Sequence, residues 1–145
     1  MSEQELLDRK TIITNTEKLK MIVKTENFNP EIDIKLICTC GHEKCNKRSV
    51  SQELLNRVQK VRDDAARSLT VTSGGRCSFH PKEISRSKPA DHRKGLGIDI
   101  SVAGGAQRDQ LVRLAIKHGF NAIGIAKTFV HLGYRPNQAP VMWVY

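Results

Sequence analysis

Two ionisable side chains lie inside runs that otherwise read as buried strand. Asp99 stands between Ile98 and Ile100, and His131 stands within Phe129-Val130-His131-Leu132. Charged or polar groups are costly to bury unless they are paired or bind a metal. Taken singly, each has an ordinary reading: an aspartate facing solvent from alternate strand positions, a histidine satisfied within a core. His92, at the end of a polar loop just ahead of Asp99, completes a candidate donor set that spacing alone does not single out. Two histidines and one carboxylate are a usual donor set for a catalytic zinc ion, with the fourth position left for water. Zinc held in this way lowers the pKa of that water toward ~7 and supplies a hydroxide nucleophile.

The surrounding pattern is that of one α+β unit. Leu19, Met21, Ile22 and Val23 are apolar enough for a strand or a helical turn. Ile32, Ile34 and Leu36 alternate with Asp33 and Lys35, the period of a half-buried strand. Ser51 precedes Gln52-Glu53-Leu54-Leu55 as a helix N-cap, and Leu54, Leu55, Val58 and Val61 fall on one helical face. Leu69 and Val71 alternate with threonines as a strand that Ser73-Gly74-Gly75 ends. A basic loop over 82–94 leads to the strand around Asp99. Leu111, Val112, Leu114 and Ala115 mark a second amphipathic helix that Gly119 stops. Three short strands follow, at 122–126, 129–132 and 141–144. Strands and helices in this order predict a small, largely antiparallel sheet flanked by two main helices.

A chain of 145 residues buries one modest core. The expected organisation is an arm over 1–50, carrying most of the cysteines and packing on a domain over 51–145. No apolar run approaches the ~18 residues of a membrane span. The opening MSEQELLDRK is acidic and polar, unlike a secretory signal. The expectation is a protein made in the cytoplasm. The net charge of +9 attracts polyanions, either acidic cell-wall polymers or nucleic acid. The low aromatic content, 5%, argues against stacking on single-stranded bases.

From about residue 51 onward the chain resembles the zinc DD-peptidase family, which includes D-Ala-D-Ala carboxypeptidases, phage endolysins that cut L-Ala-D-Glu bonds, and relatives with the Hedgehog-type zinc fold. Three pieces carry the resemblance: Ser73-Gly74-Gly75-Arg76, similar to the family's Ser-Gly-Tyr-Arg turn; His92-x-x-Gly95-x-x-x-Asp99; and Gly124-Ile125 followed by Phe129-Val130-His131. Trp143 matches a common aromatic near the end. The resemblance implies zinc on His92, Asp99 and His131, a substrate carboxylate on Arg76 with help from Ser73, and Trp143 beside the substrate. It implies peptidoglycan stem peptides as substrate, in a phage-type lysin or virion-associated enzyme acting at the cell wall. The rivals are a non-catalytic zinc protein of the same fold and a nucleic-acid-binding zinc module.

The chain departs from the family at three positions. Ala90 stands where relatives often have serine, Gly133 where many have aspartate, and Thr128 where several endolysins have a glutamate base. Threonine does not accept a proton near neutrality as a carboxylate does, so the catalytic base is unassigned. Asp91, Glu83 and His80 lie in the right region of sequence, but no motif backs them and each reads first as a surface group. Some phage relatives also show a cysteine cluster like Cys38, Cys40, Cys45 and Cys77. Three readings of these cysteines stand open: a structural zinc site, in which His42 can replace one thiol; one or two disulfides in an exported protein; or reduced, partly buried thiols.

Overall fold

The structure is a computed structural model that describes residues 23–145. Its order is α1 (Gln52–Ala65), β1 (Val71–Ser73), β2 (Gly97–Ser101), α2 (Gly105–Lys117), β3 (Ala122–Ile125), β4 (Phe129–Gly133) and β5 (Val141–Val144). The strands form one sheet in the order β1-β2-β4-β3-β5. All pairs are antiparallel except β3 with β5. This is the α+β class expected from the sequence. No helix among the described residues is long and apolar enough to cross a membrane.

Strand alternation divides the sheet into two faces. On one face, Ile98, Ile100, Val130, Leu132 and Ile123 are buried with Leu54, Leu55, Val58 and Val61 of α1 and Leu111 and Ala115 of α2. This is the core. Ser51 caps α1 by accepting from the Leu54 N–H at 3.2 Å, as its position before the apolar run demands. Gly119 takes a left-handed φ of +87° just beyond α2, where a helix end favours glycine.

The other face carries a single row across all five strands. The register pairs Ser73 with Asp99, Asp99 with His131, His131 with Gly124, and Gly124 with Trp143. Residues that oppose one another in this way lie on the same side of a sheet. The two chemically odd residues of the sequence are therefore neighbours on the face away from the core.

The segment ahead of α1 departs from the expected strand. Ile34–Leu36 is one 3-10 turn, with Ile32 82% and Ile34 58% exposed and Leu36 fully buried. Local capping outcompetes the alternation: the Asp33 carboxylate accepts from the Lys35 N–H at 3.0 Å, and the Asn29 carbonyl accepts from Ile32 and Asp33. Leu36 then joins Phe28 and Val50 in the core. The run Leu19, Met21 and Ile22 lies outside the described residues.

This arm crosses the turn that follows β1, and two glycines make room for it. A Cβ on Gly74 would lie 2.7 Å from the Leu36 Cα and carbonyl oxygen, and one on Gly75 would collide with the Arg48 carbonyl. Gly75 stands where the resembled turn has tyrosine, and the backbone of Arg48 fills that space. Gly75→Ala is therefore expected to lower stability by about 1–3 kcal/mol through overpacking against main chain, read as a lower Tm in thermal unfolding. An unchanged Tm would show that the arm does not seat on this turn.

Candidate metal centre

Asp99 and His131 reach the open face from the centres of β2 and β4. His92 enters from the turn just ahead of β2, where its backbone carbonyl accepts from the Arg76 N–H at 3.1 Å. All three are buried. His131 Nδ1 lies 3.2 Å from His92 Nε2 and 2.9 Å from Asp99 Oδ1, and His92 Nε2 lies 3.3 Å from the same oxygen.

The outer nitrogens of both rings are occupied. His92 Nδ1 lies 2.7 Å from the Gly74 carbonyl, to which it can only donate. His131 Nε2 lies 2.8 Å from Asp91 Oδ2 and donates to it. In neutral imidazole the other nitrogen is then a bare acceptor. With both rings neutral, three lone-pair acceptors converge within a triangle of about 3 Å edge, a repulsion that either a proton on His131 Nδ1 or a metal cation among them relieves. Zinc with ligand bonds of ~2.0–2.1 Å in tetrahedral array needs donor atoms roughly 3.3 Å apart. The three residues fit a zinc ion in both spacing and chemistry.

Electrostatics point the same way. Burial opposes charge on Asp99, but its contacts with His131 and His92 outweigh that and hold the carboxyl well below its usual range. Burial likewise opposes charge on His131, and Asp91 and Asp99 more than offset it, so its pKa rises. Both shifts record a pocket that favours positive charge at its centre.

Asp91 is built into this centre. The usual reading of a surface group is corrected for it and for Glu83, since both are buried. Gly97 and Gly133 pair across β2 and β4 and leave a slot that the Asp91 side chain fills. A Cβ on Gly133 would come within 2.5 Å of Asp91 Oδ2, and one on Gly97 within 2.7 Å of Asp91 Cβ. Arg135 closes the slot, donating from Nε to Asp91 Oδ1 at 2.8 Å. Burial would raise the Asp91 pKa, but the hydrogen bonds from His131 and Arg135 lower it to about 2. A carboxylate engaged at both oxygens orients His131 and is not free to take a proton from substrate. Glu83 lies under Arg76 and Arg86, 3.5 and 3.7 Å away. His80 accepts the Lys82 N–H and borders a separate groove with Thr72 and Ser73. Asp91 is engaged at both oxygens; Glu83 Oε2 has no hydrogen-bond partner, and neither Glu83 nor His80 lines the cavity above the metal centre.

A cavity of about 320 Å³ opens at the triangle, lined by the cations Arg76, Lys82, Arg86 and Arg135 and by the aromatic Phe129, Trp143 and Tyr145, with Arg135 lying over the Trp143 ring at 5.5 Å. The buried Arg76 guanidinium has only long contacts: Ser73 Oγ at 3.3 Å, Glu83 at 3.5 Å and Asp99 Oδ2 at 4.0 Å, while its unmatched Nε is sealed from the cavity. Such a group has donors to spare for an anion. Trp143 and Tyr145 lie over Gly124, where a Cβ would come within 2.7 Å of the indole nitrogen. The sequence reading named Arg76, Ser73 and Trp143 but missed Arg135 and Tyr145. Arg135 is one cation among 24 lysines and arginines, and only its folded contacts with Asp91 and Trp143 distinguish it.

Fold and site together describe an α+β protein with a buried His-Asp-His triangle that fits a metal ion. Residues 26–133 match the family model described as Peptidase M15, and the chain belongs to that family, whose members are zinc-dependent metallopeptidases. The match spans the donor triangle and all four cysteines, reaches further toward the N-terminus than the resemblance read from sequence, and ends before Trp143. No curated protein matches the chain.

Outer hydrogen-bond partners of metal-binding histidines set ring tautomer and basicity. Asp91→Asn is therefore expected to weaken zinc binding by about 10–100-fold, measured by competition with a chelator, while circular dichroism stays native. Unchanged affinity would show that Asp91 does not orient His131.

Proposed function

We propose that the chain is a zinc-dependent peptidoglycan peptidase that hydrolyses stem peptides, at the terminal D-Ala bond or the L-Ala-D-Glu bond. The observation that carries this reading is the buried His92, Asp99 and His131 triangle beneath a cationic cavity, in a chain of the M15 family. When bound, zinc supplies Lewis acidity that polarises a carbonyl and acidifies water. Arg76 binds a free stem-peptide carboxylate through its spare donors and sets which amide lies over the metal centre. Ser73 holds the Arg76 fork. Trp143 and the largely exposed Tyr145 offer aromatic surface at the cavity's edge against which the stem peptide packs. Partial desolvation raises the pKa of the largely exposed Tyr145, and its protonated hydroxyl can donate toward developing oxyanion charge.

The net charge of +9 suits an anionic wall. A phage-type lysin or virion-associated enzyme, made in a host cytoplasm and acting at the wall, fits that charge. One observation favours a second reading. Among the described residues lining the cavity, the only carboxylates are Asp91 and Asp99, and both are engaged. A zinc-holding wall-binding protein that does not cut is the corresponding alternative.

Incubation of purified sacculi with the zinc-loaded protein, followed by mass spectrometry of soluble fragments, tests the choice. The expected result is release of stem peptides by the wild type and none by His131→Ala. Arg76→Lys is expected to raise KM about tenfold or more while kcat changes less, since a point charge replaces a planar fork. Retained wall binding without fragments under any metal condition would favour the non-catalytic reading.

A further inference from the structure

Cys38, Cys40, Cys45 and Cys77 take no part in the centre described above, yet the fold gathers them. Their sulfur atoms all lie within 4.8 Å of one another, and Cys40 Sγ is 3.6 Å from Cys77 Sγ. Zinc–sulfur bonds of ~2.3 Å in a tetrahedron place sulfurs roughly 3.8 Å apart. A disulfide needs ~2.05 Å between two sulfurs and leaves the other pair without reason to converge. Cys38 and Cys77 are buried and Cys40 and Cys45 half-buried, so one side of the cluster stays open to an entering ion.

Apolar packing does not explain the convergence. From Thr39 to Ser49 no residue is buried. The loop has one antiparallel bridge, Ile37 with Ser49, and two backbone bonds, Cys38 N–H to Arg48 and Cys45 N–H to His42, each 2.9 Å. A loop with so little packing needs a cross-link to hold four thiols together. Its geometry is already shaped for one: Gly41 and Lys47 adopt left-handed φ of 77° and 54° just past Cys40 and Cys45, and the Lys47 N–H donates to Cys45 Sγ at 3.4 Å. Lys44, Lys47 and Arg48 supply positive charge against the net negative charge of four thiolates on one zinc. His42 is not a fourth donor: it stacks on Phe79 at 4.6 Å, and its Nδ1 accepts the Lys44 N–H.

We infer that Cys38, Cys40, Cys45 and Cys77 form a second, structural zinc site that clamps the exposed loop to the turn carrying Arg76. Cys77 follows Arg76 directly, and Gly75 N–H donates to Leu36 at 3.0 Å, so the clamp holds the cavity's carboxylate-binding arginine from behind. The closed ligand set of four thiolates leaves no position for water, which makes the ion a scaffold. The inference is independent of the peptidase reading.

The test uses the full chain, purified under reducing conditions. Elemental analysis is expected to give two zinc ions for the wild type, matching the two donor groups, and one for a His92→Ala/His131→Ala variant. Exchange with cobalt(II) alone is expected to produce the near-ultraviolet thiolate-to-metal charge-transfer band in both proteins, and titration with a mercurial thiol reagent is expected to release the remaining zinc as the thiols are consumed. Cys40→Ser/Cys45→Ser should lose that band; if this variant does not fold, the wild-type cobalt spectrum and mercurial titration still decide. Absence of the charge-transfer band, with disulfides found by mass or with freely reactive thiols, would overturn the inference. A wild type holding one zinc with a thiolate signature would support it and contradict the proposed catalytic metal.

Discussion

Three donor atoms for a cation, crowded into one buried triangle, organise this molecule. His92 gives its proton to a backbone carbonyl and His131 gives its own to Asp91, so both rings turn bare nitrogens toward the Asp99 carboxylate. A buried cluster of this kind is unfavourable by itself and becomes favourable with a divalent cation at its centre. Much of the nearby architecture serves to hold it. The Gly97 and Gly133 pair makes the slot for Asp91, Arg135 locks Asp91 in place, and the glycine turn after β1 offers the carbonyl that fixes His92.

The sheet converts a one-dimensional pattern into that cluster. Asp99 and His131 are far apart in sequence, but antiparallel pairing of β2 with β4 places them opposite each other. The same row continues to Ser73 on one side and to Trp143 on the other, so both share one face with the strand-borne candidate metal donors. The core occupies the other face. Metal chemistry and fold stability are thus separated by the thickness of one sheet, and polar substitutions on the open face leave Ile98, Ile100, Val130 and Leu132 packed.

Much of this was legible in the sequence because it rests on local signals. Ser51 before an amphipathic run, Gly119 after one, and ionisable residues inside apolar strands each follow from short-range physics. The α+β class and the order of elements followed from these. What was not legible depends on long-range contact. The alternation of Ile32, Ile34 and Leu36 looks like a strand, but Asp33 and Asn29 satisfy the backbone locally and turn it. Asp91 looks like a loop residue because the space it fills is created by two glycines on other strands. Arg135 and Tyr145 carry no motif, and only the folded sheet brings them to the cavity. Gly75 looks like a departure from a family turn until Arg48 is seen in the place of the missing side chain.

The account stands on the claim that His92, Asp99 and His131 share one zinc ion. Diffraction from crystals of the zinc-loaded protein on either side of the zinc absorption edge tests it most directly. The predicted result is an anomalous peak about 2.0–2.2 Å from His92 Nε2, His131 Nδ1 and an Asp99 oxygen. An anomalous map with no peak at these atoms, in crystals soaked with zinc and with the triangle intact, would contradict it.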